Sequence, residues 1–195
     1  TLGLIGTAVD VDAILAAKLG FPKLRYVFVE HERRWLCASL PAELVTETEQ
    51  IKDLYVTGTN LRLREARPLG GGPSMLRLTR KVDVDPRTRL ISSVYLQEPE
   101  FELLRSVLTG RNIHKLRHRL RSPAEAVLAV DEFQGELSGL FLLEAEFPST
   151  QALKEFQAPW FAGAEVTTNP QYTGGLLSND GLPNAAAVQW SADEA

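Results

Sequence analysis

Charged residues in this chain recur two apart within otherwise apolar stretches. VFVEHERRWL carries Glu30, Glu32 and Arg34, and NLRLRE carries Arg62 and Arg64. MLRLTRK carries Arg77, Thr79 and Lys81, IHKLRH carries Lys115 and Arg117, and FLLEAEF carries Glu144 and Glu146. In an extended strand, residues two apart share one face, so each segment presents its charges on a single side. Leu61 and Leu63 oppose Arg62 and Arg64, Leu76 and Leu78 oppose Arg77 and Lys81, and Leu143 and Ala145 oppose Glu144 and Glu146. Val27, Val29 and Trp35 oppose the first charged set, with His31 and Arg33 interrupting them. A solvated outer face explains any one such strand. Five together, with acids and bases kept in separate segments, are explained at once by a closed barrel with a charged lumen.

The remaining pattern fills in the elements. A strand is predicted over 24–36, and a helix in AELVTETEQIKDL, opened by Pro41 with Ser39 as a cap. A strand near Leu54 to Val56 turns at Gly58 and Asn60 into another over 61–67, followed by a loop over 66–74. MLRLTRKVDV turns at Asp85-Pro86 into RLISSVYL. The segment EPEFELLRSVLTG reads as a helix, with Phe101, Leu104 and Leu108 at helical spacing and Gly110 as its stop. NIHKLRHRL, a break at Ser122-Pro123 and EAVLAVDEF follow. A hairpin turn over Gln134 to Ser138 leads into GLFLLEAEF, and Ser149 caps a helix in TQALKEFQ. AEVTT reads as a short strand. Near the N-terminus, Asp12 caps a short helix through Ala17 that ends at Gly20. The expectation is an α+β fold, mainly antiparallel β: an eight-stranded closed tunnel with a few peripheral helices. It forms a single domain over 1–195, with an N-terminal arm (1–22), a tunnel domain (24–178) and an irregular C-terminal tail (179–195).

Composition narrows the chemistry. With 44% apolar and 24% charged residues, the chain is of ordinary globular make-up. Its net charge of −4 argues against a general nucleic-acid or membrane surface, so affinity for anions must come from local clusters of Arg and Lys. The single cysteine, Cys37, allows no intrachain disulfide and reads as a packing residue in a reducing, cytoplasmic setting. No apolar run approaches the ~20 residues that span a bilayer, and no secretory signal is evident. His31, His114 and His118 lack the spacing of a zinc site. Gly70-Gly71-Gly72 is a flexible linker and not a phosphate loop, and Ser92, Ser138 and Ser178 lack a nucleophile elbow.

Taken in order, the segments resemble the CYTH family, the triphosphate tunnel metalloenzymes. The Glu-x-Glu-x-Lys signature reads Glu30-His31-Glu32-Arg33-Arg34. The Arg-x-Arg strand is at Arg62 and Arg64, Thr-x-Lys at Thr79 and Lys81, a strand-opening arginine at Arg89, and Lys-x-Arg at Lys115 and Arg117. VDEFQGELSGLFLLEAEF is similar to the family's late hairpin, with Asp131, Gly139, Leu140, Glu144 and Glu146 in matching places. AEVTTNPQY is similar to its closing stretch, with Glu165 and Tyr172. The chain departs from the family pattern at Arg34 (a lysine there), at Ser92, Ser93 and Tyr95 where acids are common, at Ala129, and at Asn169.

The resemblance implies hydrolysis of a triphosphate, inorganic tripolyphosphate above all, by water attack on a terminal phosphoryl group inside the tunnel. It implies Glu30, Glu32 and Arg34 as catalytic residues and Arg62, Arg64, Lys81, Arg89, Lys115 and Arg117 as phosphate ligands. Glu30, Glu32, Glu144 and Glu146 would hold Mg2+ or Mn2+, hard cations that prefer oxygen donors. The implied partner is a small-molecule triphosphate, with a homodimer possible and no nucleic acid or membrane. These residue types suit that chemistry, because phosphoryl transfer depends on positioning and charge stabilisation more than on a strong nucleophile. Arg77 and Arg119 read as rim or surface residues, and Glu165 as either a metal ligand or an anchor for arginine. Two rival readings stand: a weakened polyphosphate- or nucleotide-binding module, motivated by the missing acids, and a class IV adenylate cyclase. The cyclases carry His-Phe where this chain has Leu24 and Arg25.

Overall fold

The computed structural model describes residues 27–122 and 125–183. Eight strands are present: β1 (Val27–Cys37), β2 (Val45–Val56), β3 (Leu61–Pro68), β4 (Met75–Asp85), β5 (Thr88–Tyr95), β6 (Gly110–Leu120), β7 (Val127–Phe133) and β8 (Phe141–Phe147). They close into a barrel in the order β1-β5-β4-β3-β2-β6-β7-β8, every neighbouring pair antiparallel. Closure leaves no strand edge to be covered. Among the described residues, three short α-helices sit outside the strands: α1 (Glu98–Val107), α2 (Thr150–Glu155) and α3 (Gly174–Asp180).

The alternation read from the sequence sets the two faces. Trp35, Cys37, Leu128, Val130, Leu143, Ala145 and Phe147 face outward and are buried beneath Leu153 of α2 and the segment holding Phe156 and Phe161. Phe156 packs against Trp35 and Phe147 in tilted and edge-to-face contacts, with ring centroids 5.9 and 5.0 Å apart. Each large side chain buried there contributes roughly 1.5–3 kcal/mol. Ser149 begins α2 as the sequence predicts, its Oγ accepting the Ala152 N–H at 3.2 Å. In α1 the Glu100 carboxylate accepts the Gln97 N–H at 2.6 Å, and Phe101 is the residue the helix buries.

The structure corrects several expectations. The helix predicted in AELVTETEQIKDL does not form: a 3-10 turn at Ala42–Leu44 runs straight into β2. β-branched Val45, Thr46, Thr48 and Ile51 favour a strand, and pairing on both sides with β3 and β6 outweighs the weak helical preference of the glutamates. Gly110 opens β6 instead of ending α1. A Cβ there would lie 2.1 Å from the Tyr55 carbonyl oxygen, so the close approach of β2 to β6 requires glycine. The loop over 66–74 shortens, because β3 continues through Pro68. AEVTT contributes only an isolated bridge between Trp35 and Glu165. The expected tail from residue 179 begins inside α3, whose Thr173 cap accepts the Leu176 N–H at 3.5 Å. The N-terminal arm, its Asp12–Ala17 helix and the break at Pro123 lie outside the described residues.

α3 closes one end of the bore. Leu177 and Tyr172 pack on Leu36, Ile113, Phe133 and Leu142, all from strand positions that face the lumen. Gly174 lies so close to Tyr55 of β2 that a Cβ there would sit 1.9 Å from the phenol oxygen.

Candidate active site

The lumen holds a cavity of about 450 Å³, within the ordinary range for small-molecule sites. Glu30, Glu32 and Arg34 of β1 line it, as do Arg62 and Arg64 of β3, Lys81 of β4, Arg89 of β5, Lys115 and Arg117 of β6, and Glu144 and Glu146 of β8. Every site residue predicted from the sequence is therefore brought to one cavity. Register explains the convergence: Glu30 pairs with Arg89, Glu32 with Glu146, Arg34 with Glu144, and Arg62 with Thr79.

Bases and acids are interlocked. Asp53 of β2 is 1% exposed and receives Arg64 Nε and Nη2, each at 2.6 Å, while Arg62 Nε stands 3.6 Å away. Asp131 of β7 is fully buried and receives Arg117 Nε and Nη2 at 2.7 Å, together with Lys115 Nζ. Arg117 also reaches Glu144. Lys81 Nζ donates to Glu30 at 3.0 Å, and Arg89 bridges Glu32 at 3.3 Å and Asp83 at 2.7 Å. Thr79 and Ser93 hydrogen-bond at 3.0 Å at the middle of the β4–β5 wall.

The environment divides the carboxylates. Burial raises the Asp53 carboxyl, but Arg64 and Arg62 more than offset it and hold the group far below the usual range. Glu144 is likewise held down against its burial, by Arg117 and Lys115, and Glu30 by Lys81 and Arg89. Glu32 goes the other way, to about 7, because burial and the neighbouring Glu144 and Glu30 oppose its charge. Burial and Glu30 also raise Glu146. The β1–β8 wall is thus a cluster of carboxylates under mutual repulsion, which a cation would relieve.

Arg34 is more anchored than the sequence implied. Its guanidinium donates to the Tyr172 carbonyl at 2.8 Å and the Thr167 carbonyl at 3.3 Å, and Nε lies 3.1 Å from Glu32 without hydrogen-bond geometry. It fastens the closing segment to the site. Glu165 lies outside the barrel, where Arg33 grips it at 2.6 and 3.0 Å, which resolves its role as an anchor. Arg77 corrects a second expectation: it points into the lumen and not to the rim. Arg119 is half-exposed, lines the cavity and pairs with Glu49 at 3.1 Å. His118 bonds Thr48 and Glu132 away from the cavity lining, and burial pushes the Cys37 thiol up to about 11, as suits a packing residue. Among the described residues, no three His, Cys, Asp or Glu side chains are grouped closely enough to hold a metal by themselves. No helix among them is long and apolar enough to cross a membrane.

Sequence reasoning missed Asp53, Tyr55 and Arg77 as lumen residues. For the first two the signal was the period-two run Ile51, Asp53, Tyr55, hidden by the helical reading of the stretch before it.

Fold and lumen together define a closed antiparallel barrel whose bore carries a basic wall facing a carboxylate wall. The chain is 35% identical over 86 residues to an inorganic triphosphatase of Nitrosomonas europaea, a match covering 44% of this chain and 56% of that protein. The matched stretch thus spans just over half the length of the relative. Among solved structures, the inorganic triphosphatase NE1496 superposes with a TM-score of 0.53 at 26% identity, covering 76% of this chain and 93% of that one. A second structure of NE1496, described as a hypothetical protein, gives the same TM-score and covers 97% of that chain. No protein-family model matches the chain.

Proposed function

We propose that this chain hydrolyses a triphosphate inside its tunnel, with inorganic tripolyphosphate as the substrate. The observation that carries the reading is the bore itself: Arg62, Arg64, Lys81, Arg89, Lys115 and Arg117 line one cavity with Glu30, Glu32, Glu144 and Glu146. The likeness to an inorganic triphosphatase, in sequence and in structure, supports it.

The chain's own residues account for binding and positioning. Arginine forks match phosphate oxygens in pairs, and the lumen holds several at fixed positions. Arg64 and Arg117 are each pre-set by a bidentate aspartate, so little side-chain freedom is lost when phosphate arrives. The bound triphosphate lies along the basic wall with its terminal group toward Glu30 and Glu32. A water attacks the terminal phosphorus in line. A new P–O bond forms, the bridging P–O bond breaks, and its electron pair leaves on the pyrophosphate oxygen, where Lys and Arg donors stabilise the charge; one proton of the water stays on the released phosphate and the other passes to solvent.

The donor set fits a hard divalent cation. Mg2+ and Mn2+ are typically held by one or two carboxylates plus substrate phosphates, which does not require a protein-only cage of three acids. Glu30, Glu32 and Glu146, crowded by repulsion, are the residues that would hold it, with Glu144 committed to Arg117. Bound there, such an ion neutralises phosphate charge and orients or acidifies water.

A second reading, a polyphosphate-binding module without turnover, is favoured by the ion pairs that already engage the carboxylates: Lys81 on Glu30, Arg89 on Glu32 and Arg117 on Glu144. Phosphate release from tripolyphosphate with Mg2+, Mn2+ or chelator separates the two. Hydrolysis predicts release that chelator abolishes and that Glu32→Gln lowers by at least ~100-fold, the size expected for losing a group that acts on the reacting centre. A chain that tripolyphosphate stabilises against heat without any phosphate release refutes hydrolysis and establishes the binding module.

A further inference from the structure

Among the described residues, Arg77 is a lumen cation whose environment the interlocked pairs do not explain. Arg77 extends from β4 into the cavity, where its cross-strand neighbours are Arg64 on one side and Tyr95 on the other. Its Nε is buried without a hydrogen-bond partner, and among the described residues it makes no ion pair with a carboxylate. The adjacent Arg62 Nε is also buried without a hydrogen bond, standing 3.6 Å from an Asp53 that Arg64 already engages on both oxygens. Arg62 and Arg64 thus share one carboxylate, and Arg77 beside them has none. Burying like charges with so little compensation is unfavourable in the empty protein and becomes favourable when an anion is supplied. Burial and the neighbouring Arg64 and Arg62 push the Arg77 guanidinium down to about 10, in keeping with a cation held among cations.

The position of this trio matters. Lys81, which grips Glu30, lies four residues further along β4 on the same lumen face. Four residues of strand span about 13 Å. The bore therefore carries one anion station beside the carboxylate wall, at Lys81 and Arg89, and a second at Arg77, with Arg62, opposite Thr79, midway between them.

We propose that Arg77 forms a distal phosphoryl subsite, with Arg62 on the path to it, that makes the tunnel selective for chains of three or more phosphoryl groups over a diphosphate. This inference rests on the triphosphate reading of the same lumen. A pyrophosphate occupies the station at the carboxylate wall and leaves Arg77 without a partner, whereas a tripolyphosphate reaches both. Arg77 is a specificity residue of the substrate's far end and takes no part at the reacting phosphorus.

Calorimetric titration with tripolyphosphate and with pyrophosphate, in chelator so that turnover does not enter, tests this on the full chain and on Arg77→Met and Arg77→Lys. Losing a hydrogen bond to a charged group predicts that Arg77→Met binds tripolyphosphate about 10- to 100-fold more weakly. Pyrophosphate affinity should change by less than about threefold, an effect too small for a lost charged hydrogen bond. Arg77→Lys, which keeps the charge but not the fork, should fall between wild type and Arg77→Met. The ligand-free Tm of Arg77→Met should equal or exceed that of wild type, because an uncompensated buried charge is removed. Equal losses for both ligands, no loss for tripolyphosphate, or a Tm lowered by more than about 5 °C in both variants would overturn the subsite. A wild type that hydrolyses tripolyphosphate while Arg77→Met binds it unchanged removes the subsite and leaves the function. Arg77-dependent binding without phosphate release removes the function and leaves the subsite.

Discussion

Replacing Asp53 with asparagine is the most direct probe of how the basic wall is held together. The carboxylate is 1% exposed and is the counter-charge for Arg64, through two hydrogen bonds of 2.6 Å, and for Arg62 at 3.6 Å. Asparagine keeps the shape but leaves two buried guanidiniums without compensation, which for a broken buried pair costs about 3–5 kcal/mol. At roughly 2–4 °C per kcal/mol for a chain of this size, Tm should fall on the order of 10 °C. The pH dependence adds a sharper test. In the folded chain the Asp53 carboxyl titrates far below its unfolded value of about 3.9. Its contribution is therefore complete above that value and drains away as pH falls, while the unfolded chain takes up the proton first. Between pH 6 and pH 3.5 wild type should lose about 0.7 kcal/mol of this contribution, and Asp53→Asn has none to lose. Denaturant unfolding of both proteins at the two pH values should show the gap between them narrowing by that amount as pH drops. A gap that is absent at pH 6, or that stays constant or widens toward pH 3.5, would refute the view that Asp53 is ionised and holds the arginines.

Two further outcomes follow from contacts on either side of the barrel wall. Arg33→Ala removes the outer salt bridge to Glu165, a 3.1 Å hydrogen bond to the Phe156 carbonyl and a guanidinium 4.7 Å over the Trp35 ring; it should cost about 1–3 kcal/mol in urea unfolding and leave phosphate release within about twofold of wild type. Leu177→Ala hollows the apolar plug beneath α3 and should cost about 2–5 kcal/mol; it should also speed hydrogen exchange in residues 172–180 ahead of the strands, so uniform exchange across the chain would contradict α3 as a separate closing element.

What was legible in the sequence was what a period of two makes visible. Glu30 and Glu32, Arg62 and Arg64, Lys115 and Arg117, and Glu144 and Glu146 each sit in apolar strands, and the alternation that buries Leu143 and Ala145 outside must turn the glutamates inward. Closure and strand order were not in the pattern, because nothing local states that β1 pairs with β5 and β8. β2 was misread because glutamates and a preceding proline imitate a helix start, while the pairing that makes it a strand comes from β6, more than fifty residues away. That error concealed Asp53, and with it the reason Arg64 can be buried at all. Arg77 was assigned to the rim for a related reason: a lone extra base in a basic strand looks dispensable until its neighbours across the sheet are known. α3 escaped notice because its sequence, GGLLSND, has poor helical propensity and is held by Leu177 against the barrel end. The misses share one physical feature. Each residue draws its role from a partner distant in the chain, and the sequence displays periodicity without displaying partners. The acids of the lumen make the point most clearly: Asp53 and Asp131 are isolated in their segments and belong to no charged pair, yet they fix the forks of Arg64 and Arg117 that a phosphate would meet.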